Sequence, residues 1–61
     1  MDIDSKKWRL RSDGVGGIQI ECKAAMTLRT VPADDLPSAE SLAAMHEREF
    51  NRVCMEAFQK A

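Results

Sequence analysis

Tyrosine is absent, and one tryptophan and two phenylalanines supply all the aromatic surface of the chain. A stacking platform for single-stranded nucleic acid needs more aromatic faces than that. Cysteine is nearly as scarce: two residues form at most one internal disulfide, too few for the framework of a secreted mini-protein. No segment approaches the roughly eighteen continuous apolar residues of a membrane span. The stretch Met1-Asp2-Ile3-Asp4-Ser5-Lys6-Lys7 is not followed by the apolar run of a signal peptide. Charge of one sign is missing too, since nine Lys and Arg face ten Asp and Glu for a formal net charge of −1. Such a balance gives no general attraction to nucleic acid or acidic lipid. The expectation is a cytoplasmic protein with reduced thiols, no membrane association, and nucleic acid as a disfavoured partner.

What remains is enough for one domain. A chain of 61 residues buries only about 60% of its unfolded surface on folding, and ordering costs nearly cancel the hydrophobic gain at this size. A composition 44% hydrophobic and 31% charged is nevertheless that of a folded chain. Residues 1–5 read as a frayed leader. From Lys6 the side chains alternate, with Lys7, Arg9 and Arg11 on one side and Trp8 and Leu10 on the other, the period of a half-buried strand. Ser12-Asp13-Gly14-Val15-Gly16-Gly17 breaks the pattern, and Ile18, Ile20 and Cys22 resume it. Two such runs around a glycine-rich break predict a hairpin. Matching apolar faces predicts Leu10 opposite Ile18, Trp8 opposite Ile20 and Lys7 opposite Glu21, with the loop centred on Gly14. Residues 24–31 suit strand or short helix. A single strand from Ile18 to Val31 would be about 45 Å long, too long to pair internally, so either the chain bends near Lys23-Ala24-Ala25 into a third strand or its far half pairs with another copy, with Met26 and Leu28 inward and Val31 outward.

Residues 32–37 form a proline-containing connector, because Pro32 and Pro37 bias the residues before them away from helix. Ser38 is the expected N-cap of one helix over 38–60. At 100° per residue Ala39, Leu42, Ala43, His46, Phe50, Val53, Cys54 and Ala57 share one side, with Met45 and Phe58 at its margins. That sector is wider than the roughly 100° a helix needs to cover a small hairpin, so either the connector folds over the surplus or a second molecule covers it, which argues for a homodimer or a bound protein partner. The expected architecture is therefore α+β: a small antiparallel β-hairpin, with a third strand, packed against one long C-terminal amphipathic helix. Its expected core is Trp8, Leu10, Ile18, Ile20, Cys22, Met26, Leu28, Leu42, His46, Phe50, Val53, Cys54 and Ala57.

Catalytic and metal chemistry find little support in the residues. Cys22, His46 and Cys54 are the soft metal ligands. His46 and Cys54 lie about 80° apart on a helix, and there is no CxxC pair of the kind structural zinc sites use. An active Cys–His pair would need an exposed electropositive thiol. Gly14-Val15-Gly16-Gly17 is not followed by the lysine and hydroxyl residue of a phosphate loop. No catalytic residue, metal or cofactor is therefore assigned. The expected function is that of a small non-enzymatic accessory or inhibitor protein, of the size common among phage and mobile-element products, which occupies a surface of a larger protein. Met45, Phe58, Met55 and Trp8 are the candidate partner contacts. The rival readings are association with nucleic acid through Lys6, Lys7, Arg9 and Arg11, and a self-assembling structural subunit.

Overall fold

The computed structural model describes residues 1–61. Four antiparallel strands follow one another in sheet order, β1 (Asp2–Asp4), β2 (Trp8–Ser12), β3 (Gly17–Cys22) and β4 (Thr27–Pro32). A 3-10 turn over Ala33–Asp35 leads to helices α1 (Ala39–Ala44) and α2 (Glu47–Lys60). The result is a two-layer α+β fold with the helices on one face of a meander.

The leader is not frayed. Ile3 pairs with Leu10, and Asp2 and Asp4 stand opposite Arg11 and Arg9. Opposite charges across the pair and a half-buried Ile3 draw this three-residue strand onto the sheet edge. The β2–β3 hairpin forms in a register two residues away from the expected one: Leu10 faces Ile20, Trp8 faces Cys22, and Arg9, not Lys7, faces Glu21. A two-residue slip preserves every side chain's face, so apolar periodicity alone does not distinguish the two registers. The loop decides. Asp13 donates its N–H to the Gly17 carbonyl at 3.0 Å. Its carboxylate accepts from Val15 N at 2.8 Å and Gly17 N at 2.9 Å, with Gly14 and Gly16 at φ of 82° and 89°. This closed five-residue turn puts Val15 at the tip.

Residues 27–32 are strand and pair within the chain after a bend at 23–26, but their facing is the reverse of the expected one. The turn over 23–26 contains an even number of residues between paired Cys22 and Thr27, so inward positions change parity across it. Val31 is buried opposite Ile18, whereas Leu28 and Met26 are 55% and 88% exposed. Met26 takes a left-handed φ of 54° to close the turn.

The stretch from Ser38 to Lys60 is two helices, not one. Ser38 does cap α1, its hydroxyl accepting from Ser41 N at 3.2 Å. Met45 and His46 are then extended, at ψ of 148° and 155°, before α2 starts. His46 takes the N-cap position of α2 and is exposed, which removes it from the expected core. The observed core is Trp8, Leu10, Ile18, Ile20, Val31, Leu36, Leu42, Phe50, Cys54 and Ala57, with Cys22, Val53, Met45 and Phe58 half-buried against it. Val31 and Leu36 take the places expected for Met26 and Leu28.

Candidate functional site: a free strand edge beside an anchored arginine

The helix-covered face leaves little of the expected surplus. Phe58 stacks edge-on against Trp8, ring centroids 5.6 Å apart and planes at 64°. Its other flank lies under the Arg29 guanidinium, 4.3 Å from the ring centroid. The apolar sector that argued for a second copy is thus largely used inside the chain, by Trp8, Arg29 and the break at Met45. Of the four candidate contacts, Trp8 is only 3% exposed and forms the floor of a groove of about 300 Å³ shared with Lys7, Cys22, Ala24, Asn51 and Met55. Met55, 46% exposed, is the accessible wall. Met45 lies elsewhere, in a groove of about 390 Å³ with Ile3, Leu42 and Phe50.

The opposite face of the sheet carries no helix. Alternation places Asp2 and Asp4, Arg9 and Arg11, Gln19 and Glu21, and Leu28 and Thr30 on it, strand by strand. Arg9 sits between two carboxylates, 3.5 Å from Asp4 and 3.4 Å from Glu21. Lys23 adds an ion pair to Asp4 and donates to the Ser5 carbonyl at 2.6 Å. The basic stripe expected from Lys6, Lys7, Arg9 and Arg11 is therefore not a continuous positive surface. Arg9 is matched by acid, Arg11 stands opposite Asp2, and Lys6 and Lys7 lie in the bend before β2.

Asp4 and Asp13 are both held below the ordinary carboxylate value of 3.8. For Asp4 the chief cause is the Lys23 ammonium; for Asp13 it is the N–H of Val15, followed by that of Gly17. A carboxyl whose folded value is depressed adds stability that is fully present above its unfolded value and lost as pH falls through the folded one. The melting temperature should therefore drop below about pH 4. Asp13→Ala should melt lower than the parent at about pH 6, and that gap should close towards about pH 2. A gap constant across the range would contradict the loop assignment.

Both thiols are free. Cys54 is fully buried on α2, and burial pushes its thiol up to about 12. Cys22 is half-buried beside the Met55 groove. A thiolate-selective aromatic disulfide reagent at about pH 8 should modify one thiol of the native chain, Cys22, and reach the second only in denaturant. Two equivalents at once would place Cys54 outside the core. No three His, Cys, Asp or Glu side chains gather where they could hold a metal ion, and no helix is long and apolar enough to cross a membrane.

The feature that periodicity did not disclose is the outer edge of β4. Backbone bonding alternates along an antiparallel strand. Lys23 N bonds Lys7 O, Asp13 N bonds Gly17 O, and Ala33 N bonds Gly16 O. This fixes the odd-numbered residues of β3 towards β2 and the even-numbered ones towards β4. On β4 itself Thr27, Arg29 and Val31 then bond β3, while the N–H and C=O of Leu28 and Thr30 point away from the sheet. No group of the chain bonds them. Leu28, Arg29 and Thr30 are all exposed. Arg29, on the helix side between these two residues, donates to the Phe58 carbonyl at 2.9 Å, where a cation suits the C-terminal end of α2.

No protein family model, curated protein or solved structure matches the chain. Fold and site together describe a small α+β domain with two sheet edges, a three-residue one at β1 carrying Asp2 and Asp4 and a longer one at β4.

Proposed function

We propose that this chain is a small protein-binding accessory or inhibitor domain that docks by adding a strand of its partner to the β4 edge. The observation that carries the reading is the pair of outward-facing, unbonded peptide groups at Leu28 and Thr30, beside an exposed Leu28 side chain. An open edge is a template for another strand, and strand addition draws affinity from main-chain bonds and selectivity from alternate side chains. Proteins that do not use an edge block it with charge, proline or a bulge. Here proline stands only at the last position, Pro32, no bulge interrupts the register, and the one charge on the strand, Arg29, is turned onto the Phe58 ring and carbonyl.

Association with nucleic acid is the weaker reading, because Arg9 already faces two carboxylates. Two unpaired thiols suit a reducing, cytoplasmic setting. The test uses Thr30→Pro. The Thr30 N–H faces outward, so proline there removes a docking donor without breaking a bond to β3. The parent chain should retain one protein from its natural host's lysate at fixed stoichiometry, and Thr30→Pro, melting as the parent does, should lose it. Retention by both would refute the edge as the docking element.

A further inference from the structure

Resting on the edge-docking reading, we infer that the strand received by β4 carries a carboxylate side chain opposite Arg29, flanked by apolar or β-branched residues.

Arg29 differs from the other arginines in how it is held. Arg9 and Arg52 are paired with carboxylates, while the side chains of Arg11 and Arg48 have neither an ion pair nor a hydrogen bond to hold them. Arg29 has no carboxylate within ion-pair distance. It is fixed instead by the Phe58 ring beneath it and the Phe58 carbonyl it bonds. A guanidinium carries five N–H donors in a rigid fork, and the carbonyl takes one of them. The remaining donors stay on an exposed side chain at the sheet edge. Immobilisation of this kind removes most of the ordering cost a long side chain would otherwise incur on binding. What it lacks is the anion.

The edge geometry states where that anion must come from. A strand added antiparallel to β4 exchanges main-chain bonds with Leu28 and Thr30, which places one of its residues directly across from Arg29 on the helix side. Directly opposed side chains have Cβ atoms about 4.5–5.5 Å apart, and opposite charges there are favourable while like charges are not. The neighbours of that residue fall on the open face beside Leu28 and Thr30, where apolar and β-branched side chains pair well. A second copy supplies no carboxylate there: pairing Leu28 with Leu28, Leu28 with Thr30, or Thr30 with Thr30 sets Arg29 opposite Thr27, its own equivalent or Val31. The occupant is a foreign strand of the pattern apolar–acidic–β-branched.

The test follows the backbone amides of the full chain by NMR while adding the capped synthetic peptide Ser-Thr-Val-Glu-Val-Thr-Ser, or the same peptide with Lys for Glu. The Leu28 and Thr30 amides should shift saturably, with the Glu peptide binding about fivefold or more tightly than the Lys peptide. Arg29→Gln should reduce that preference to near unity while still binding both, and Thr30→Pro should bind neither. Equal binding of the two peptides at the edge would overturn the charge assignment and leave edge docking standing. Edge amides that move with neither peptide, or that move with protein concentration alone because two copies pair, would overturn the inference itself. The lysate comparison of Thr30→Pro decides the docking reading separately.

Discussion

Phe50→Ala should cost about 3–5 kcal/mol, the range for truncating a buried aromatic ring, and lower the urea midpoint steeply. Phe50 is 4% exposed and enters the core from the first turn of α2. It lies beside Leu42, the one buried residue of α1, on the wall of the groove that also holds Ile3 and Met45. The ring therefore ties both helices to the sheet across the break at Met45. A domain of 61 residues has a stability of roughly 3–9 kcal/mol at 0.05–0.15 kcal/mol per residue, so one such loss removes a third of it or more. Met55→Ala, on the exposed side of the same helix, should stay within about 0.5 kcal/mol. Urea denaturation followed by Trp8 fluorescence separates the two. An unchanged midpoint for Phe50→Ala would mean that α2 packs by another face.

The parts of this fold that periodicity discloses are those in which a residue's facing depends only on its neighbours. Trp8, Leu10, Ile18 and Ile20 alternate cleanly and are buried. Phe50, Cys54 and Ala57 recur at helical spacing and are buried as well. Where facing depends on a count, the reading slips. The β2–β3 register rests on how Asp13 wraps its turn, and a two-residue shift costs nothing in apolar matching. The division of 38–60 carries no Gly or Pro to disclose it, because the break falls at Met45 and His46. The first strand was hidden by its brevity, although Asp2 and Asp4 flanking Ile3 are the complement of Arg11 and Arg9. The candidate site was hidden for the same kind of reason. Leu28 and Arg29 become an open edge only once the even-numbered turn has exchanged the faces of β4, and propensity alone does not set the length of that turn.

That exchange of faces makes the sharpest pair of substitutions. Val31→Asp should destabilise by about 3 kcal/mol or more, since it loses a packed aliphatic side chain and brings an unpaired carboxylate to a buried position. Val31 is 3% exposed, opposite Ile18 and in the cluster with Leu10, Ile20 and Leu36. No cation is bonded there to receive the charge. Leu28→Asp, three positions earlier on the same strand, should cost no more than about 1–1.5 kcal/mol, because that side chain already stands largely in solvent and only the strand propensity and the facing Glu21 oppose the change. Simple continuation of the alternation through residues 23–26 demands the reverse: a harmless change at Val31 and an unfolded chain at Leu28. The two facings therefore give opposite orders of thermal stability, read from a single melting experiment on each variant. Leu28→Asp carries a second consequence. It sets a carboxylate on the open face next to Glu21, its cross-strand partner, and beside the residues an added strand would present there. A chain that stays folded with Leu28→Asp yet no longer holds its partner would place Leu28 in the docking surface and Val31 in the core, the arrangement on which the use of the β4 edge depends.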